Sequence, residues 1–171
     1  MGIGNAGDNS RDLSINSRIK AVTRWLEDLT GTKFCLQTVT AYGDGFGASP
    51  INLQPPLQAV ISVNYIDLNG IDQLLASPGY LASTVENRLT PAYPNTCWPQ
   101  ARCQDESVRI VYTSGYANAD LIPTEIKEAI MFTVASYEQY QAAIESGVRP
   151  MTVPFAALQL IQYYRDMRGW F

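Results

Sequence analysis

The stretch VRIVYTSGYANADLIPTEIKEAI, Val108 to Ile130, reads as strand, loop and helix in turn. Val108 to Thr113 is built from β-branched and aromatic residues, which suit a pleated, half-buried surface. Gly115 to Leu121 has the composition of a loop. Pro123 then stands where a missing amide proton costs nothing, at a helix start. Behind it Ile126, Ala129, Ile130, Thr133, Val134 and Tyr137 recur at helical spacing. This helix is expected to persist to about Glu145, with Ser146-Gly147 stopping it. Pro150 and Pro154 shape a connection, and Phe155 to Met167 reads as a last helix carrying Leu158, Ile161 and Met167 along one side.

Working outward towards the start of the chain, the apolar period falls to two between Phe34 and Thr113, with Pro, Gly and Asn as punctuation. Phe34 to Tyr42 and Leu57 to Ile66 are the clearest strands. The second alternates, with Leu57, Ala59, Ile61, Val63 and Tyr65 on one face against a mixed opposite face. Asp67 to Gly70, the sequence DLNG, turns the chain into Ile71 to Leu75 as a hairpin. Tyr80 to Thr84 and Arg88 to Thr90 add minor strands, and Pro91 to Cys103, with prolines at 91, 94 and 99, is expected to be an irregular loop. Before all of these, Ile15, Ile19, Val22, Leu26 and Leu29 form one face of a helix over Ser14 to Leu29. Asp12 or Ser14 can cap its first amides, Thr30-Gly31 ends it, and Trp25 beside the stripe is expected in the core. The fold class is therefore α+β: a small bundle of about three main helices with an antiparallel β region inserted between the first and the second. The chain divides into an N-terminal tail (1–13), the β region (34–113) and the C-terminal helices with an aromatic tail (122–168), all within one domain, since 171 residues is an ordinary domain size. No internal repeat is visible.

Composition narrows the function classes. The formal net charge is −4 and the basic residues are scattered, so no cationic stripe awaits a phosphate backbone. Lys occurs only at Lys20, Lys33 and Lys127 while Arg supplies most of the positive charge, a bias found in contact surfaces. Cys35, Cys97 and Cys103 have no metal-ligand spacing and no histidine to complete a site, so they read as structural thiols of a protein made in a reducing compartment. MGIGNAGDNS has neither the basic start nor the apolar core of an export signal, Ala6 stands where a myristoylation signal wants Ser or Thr, and no apolar run approaches membrane-spanning length. A soluble protein is expected.

The absence of histidine removes the commonest general base and any Ser/His or Cys/His nucleophile pair. Glu125, Glu128 and Glu138 have the spacing of a solvated helix face. GDGFGAS, Gly43 to Ser49, lacks the Lys and Ser/Thr of a phosphate loop and reads as a flexible turn. Asp67, Asn69 and Asp72 suggest calcium only superficially, with no Glu at the EF-hand spacing. Neither a catalytic residue, a cofactor nor a metal ligand is assigned. The aromatic segment YYRDMRGWF, Tyr163 to Phe171, has a different character: Tyr163, Tyr164, Arg165, Arg168, Trp170 and Phe171 are the residue types that anchor interfaces, and they are the candidate contacts with a partner or a neighbouring subunit.

In order and spacing these elements resemble the tailed-phage head-tail connector, or adaptor, family. The resemblance rests on the helix ending in Thr30-Gly31, the strand Phe34 to Thr40 after it, and the proline before PLQAVISVNYID. Gly70 in the turn, Trp98-Pro99, VRIVYTSGY and IPTEIKEAI opening the next helix complete it, so that Ile19 to Tyr137 is covered. It implies a structural virion protein and not an enzyme: a ring, twelvefold in such a family, beneath the portal protein at the head-tail neck. Such a ring extends the DNA channel, docks tail or tail-completion proteins, and lets DNA pass without specific binding and without a membrane. From another class, a carbohydrate- or peptide-binding module would use Tyr93 and Trp98 of the proline-rich loop. A hydrolase working by acids alone would need a close carboxylate pair, and none is nominated.

Overall fold

The computed structural model describes residues 9–47, 49–94, 97–145 and 155–165. The fold is α+β, with the β region inserted between the first two helices as the periodicity predicts. Helices and strands cluster as two compact units. One joins Asn9–Thr30 to Ile122–Arg165, and the other is Gly31–Leu121.

In the helical unit, α1 (Asn9–Thr30) and α3 (Phe155–Ile161) both pack against α2 (Thr124–Glu145). Val22 and Leu26 of α1, Ile126, Ala129 and Thr133 of α2, and Ala157 and Ile161 of α3 are buried. Thr133 is tolerated in an apolar setting because its hydroxyl donates to the Ala129 carbonyl at 2.7 Å, leaving no polar atom stranded. Two boundaries differ from expectation. α1 is already helical at Asn9, so the last residues of the expected tail belong to it; Asp12 in its first turn sits where the helix dipole favours a negative charge. α3 stops after Ile161 and tightens into a 3-10 turn, Gln162–Tyr164, which the amide of Arg165 closes onto the Gln162 carbonyl. Met167, expected on its apolar side, and the Ser146-Gly147 stop lie outside the described residues.

The β unit contains two antiparallel sheets. β1 (Gln37–Gly43), β7 (Val108–Ser114), β3 (Leu57–Ile66) and β4 (Asp72–Leu74) form a sheet in that spatial order. β2 (Ile51–Asn52), β6 (Arg88–Pro91) and β5 (Tyr80–Ser83) form the second. Leu57, Val63, Val108, Ile110 and Tyr112 of the first sheet and Ile51 and Leu89 of the second share one core, so the sheets pack face to face. β2 escaped the sequence reading because two residues between prolines carry no period.

The strict alternation expected along β3 does not hold. Register shifts between Leu57 and Ala59 and between Val60 and Ser62 each insert an extra residue opposite β7, and each reverses which side chains point inward. Leu57, Val60, Val63 and Tyr65 therefore face the core, whereas Ala59 and Ile61 face out, Ile61 at 57% exposure.

The end of β7 fastens the unit together through the SGY triplet, Ser114 to Tyr116. Ser114 Oγ donates to the Gln54 carbonyl at 2.8 Å, and the Gln54 amide donates to the Tyr112 hydroxyl at 3.3 Å. Burial pushes the Tyr112 phenol above its ordinary range, partly offset by that amide. The Gly115 amide donates to the Pro56 carbonyl at 3.0 Å, and Gln58 Nε2 donates to the Gly115 carbonyl at 2.9 Å. Gly115 adopts φ +111°, and Cys35 pairs with Tyr116 in an isolated parallel bridge beside it. A Cβ on Gly115 would lie 2.2 Å from the Cys35 carbonyl oxygen, so only glycine fits. This clamp also explains why β1 begins at Gln37 and not at Phe34: Phe34 is buried ahead of it, and Cys35 and Leu36 run against Gly115.

Candidate assembly surfaces

The candidate interface residues fall into two groups. Tyr163 and Tyr164 occupy the 3-10 turn after α3, with Arg165 following in extended conformation. Tyr163 is 88% exposed and Arg165 is exposed. Tyr164 turns back on the helical unit, and its hydroxyl donates to Glu125 Oε2 in the first turn of α2 at 3.1 Å. The three adjacent residues are thus split: one ties the turn down, and two face solvent. Arg168, Trp170 and Phe171 lie outside the described residues.

The helices also expose apolar surface. Trp25, expected in the core, instead lines a groove of about 280 Å³ with Arg18, Ala21 and Val22 of α1 and Tyr137 of α2. Ile19, Lys127, Ile130, Met131 and Val134 line another of about 400 Å³. The stripes on α1 and α2 are wider than the contact between the two helices needs, so residues at their margins stay open to solvent.

Other sequence features have structural roles. Asp67 Oδ1 accepts the amides of Asn69 at 2.9 Å and Ile71 at 3.0 Å, and Oδ2 accepts Gln73 Nε2 at 3.0 Å. Its oxygens therefore build the β3–β4 hairpin turn. The Ile71 amide above all, with smaller contributions from Gln73 and Asn69, holds its carboxyl below the usual range. The segment GDGFGAS, expected to be a flexible turn, is anchored through Phe46, which is 5% exposed. Its ring stacks on Trp98 at a 5.0 Å centroid distance and meets Tyr65 at 5.5 Å. Of the two rings named for a carbohydrate- or peptide-binding module, Trp98 gives one face to this stack and Tyr93 stands 93% exposed. Cys35, Cys97 and Cys103, read as structural thiols, are exposed, and none forms a disulfide. Among the described residues, no His/Cys/Asp/Glu group could hold a metal ion, and no helix is long and apolar enough to cross a membrane.

One site was invisible in the sequence. A cleft of about 360 Å³ crosses the outer face of the four-stranded sheet, taking Tyr42 from β1, Arg109 from β7, Asn64 from β3 and Asp72 from β4, with Glu106 and Ser107 at its end. These residues are scattered between positions 42 and 109, and only strand pairing aligns them: Tyr42 stands opposite Arg109, and Arg109 opposite Asn64. Arg109 Nη2 lies 3.6 Å from Asp72 Oδ2. Glu106 has φ +56°, and its amide donates to Asp44 Oδ1 at 3.1 Å.

No family model matches the chain, and no curated protein matches it in sequence. Solved structures do. A chain of the neck of an empty GTA particle, computed with C6 symmetry, is similar with a TM-score of 0.73 and 18% identity, covering 99% of this chain and 84% of that one. A chain of the virion of a native gene transfer agent (GTA) particle gives a TM-score of 0.71 and 20% identity over 99% and 85% of the two chains. One from the neck of a native GTA particle, computed with C12 symmetry, gives 0.70 and 17% over 91% and 84%. Across essentially its whole length, then, this chain has the fold of chains built into gene transfer agent necks and virions.

Proposed function

We propose that this protein is a structural component of the neck of a tailed phage or phage-like particle, an adaptor that forms a ring beneath the portal protein. The observation that carries this reading is the whole-chain likeness to GTA neck chains, which agrees with the connector-like order of motifs in the sequence. Those necks were computed with C6 and C12 symmetry, which fits a rotationally repeated, twelvefold ring of this chain as well. In the ring, helices form the wall, and the β unit is the platform for tail or tail-completion proteins. The net charge of −4 suits a channel that DNA traverses without sticking, because phosphate affinity grows with each basic group presented.

Tyr163 and Arg165, together with Arg168, Trp170 and Phe171, dock the subunit on the portal or on its neighbour, while Tyr164 holds the turn in place. Imaging purified necks with this chain located in the density tests the assignment, and a neck that lacks the chain overturns it. For the contact itself, Tyr163→Ala with Arg165→Ala is expected to leave the unfolding midpoint of the free subunit unchanged, because both side chains are exposed. The same pair is expected to abolish incorporation into necks. Normal incorporation excludes Tyr163 and Arg165 as contacts.

A further inference from the structure

We propose that the cleft across the four-stranded sheet receives a basic side chain, an arginine or lysine, from another neck protein that docks on the β unit. This rests on the reading of that unit as a platform and names what the platform recognises.

The charge around the cleft is unbalanced. The carboxylates of Asp72 and Glu106 line it against the guanidinium of Arg109. Arg109 does not neutralise the site. Its ion pair with Asp72 spans 3.6 Å between side chains that are 46% and 60% exposed, and such solvent-screened pairs hold only weakly. The Glu106 carboxylate and the Asn64 side-chain oxygen remain available as acceptors, and the Tyr42 ring adds an aromatic surface of the kind that attracts cations.

A second observation is independent of the acids. Ser107 lines the same cleft at 1% exposure, and its buried hydroxyl has no hydrogen-bond partner. An unsatisfied buried hydroxyl is costly, and in native proteins such a group is uncommon enough to call for a reason. A donor entering the cleft would supply the missing partner. The acidic rim and the waiting acceptor call for the same ligand, a cationic donor. The planar fork of arginine suits it well, since it can engage a carboxylate and a neutral oxygen together. Each copy of this chain carries a net charge of −4, so a more basic protein is the stronger electrostatic source. A basic patch on a different protein is the complementary surface.

The test uses the free subunit, so that it can fail without touching the neck assignment and the reverse. N-acetyl-argininamide is titrated into the 15N-labelled protein at low salt, with N-acetyl-citrullinamide as the neutral analogue of the same shape. The expected result is saturable shifts confined to the amides of Tyr42, Asn64, Asp72, Glu106, Ser107 and Arg109 with the arginine probe alone. Glu106→Gln is expected to weaken binding about tenfold, the loss of one charge-assisted contact. Ser107→Ala is expected to weaken it about threefold while raising the thermal midpoint of the unliganded protein, a pairing that a purely structural role for Ser107 would not produce. Equal shifts with citrulline, shifts elsewhere, or no saturable shift overturn the proposal. So does Glu106-dependent self-association of the free subunit, which would make a second copy the occupant.

Discussion

Replacing Gly115 by alanine puts the clamp at the end of β7 to the most direct trial. The residue holds φ +111°, outside the conformations that side-chain-bearing residues adopt readily, and this alone costs on the order of 1–3 kcal/mol. Sterics add to it. The new methyl carbon would start 2.2 Å from the Cys35 carbonyl oxygen, 2.4 Å from its carbon and 2.7 Å from the Leu36 nitrogen, where comfortable contact begins at about 3.5 Å. All three atoms are backbone, so no rotamer change relieves the overlap, and a strand must move by about an ångström. Such a shift disturbs the bonds from the Gly115 amide to Pro56 and from Gln58 to the Gly115 carbonyl, each a net contribution of about 1 kcal/mol. The sum is about 3–5 kcal/mol, a large share of the 5–15 kcal/mol typical of domains. Gly47→Ala is the control: φ is +61°, nothing lies within 4 Å, and only left-handed strain of about 1 kcal/mol is expected. Urea unfolding of the purified variants, followed by circular dichroism at constant m-value, gives the two costs. If Gly115→Ala loses no more stability than Gly47→Ala, the contact argument fails and the glycine is there for its dihedral alone.

Two further predictions concern the β unit. Phe46→Ala is expected to destabilise it by about 3–5 kcal/mol by removing the ring stacked on Trp98 and packed near Tyr65, read from the urea midpoint; a loss below about 1 kcal/mol would return this segment to a mobile loop. Asp67 has its folded-state carboxyl held below the unfolded value of 3.8, so its stabilisation is fully present above that pH and is lost as pH falls through the lower folded value. The gap in unfolding midpoint between the natural protein and Asp67→Asn should therefore shrink in acid, and a gap constant from neutral pH to strong acid would show that the turn does not depend on the carboxylate.

Much of this protein was legible from residue order. Periods of three to four and of two placed the helices and the long strands, Leu57–Ile66 at its observed limits and the α2 start just after Pro123, because burial on one face imposes a repeat that local composition records. The DLNG turn and the helix end before Gly31 were fixed by backbone chemistry that acts within a few residues. What tertiary structure decided is what depends on partners far along the chain. Bulges in β3 turned Ile61 outward because β7 sets the register, and Phe46 was drawn out of a glycine-rich segment into the core because Trp98 and Tyr65 lie across from it. Tyr163 was left in solvent while its neighbour Tyr164 reached Glu125, 39 residues away. A sequence states which side chains must be covered; only packing selects what covers them, since burial is non-directional and the competing partners differ by little in hydrophobicity.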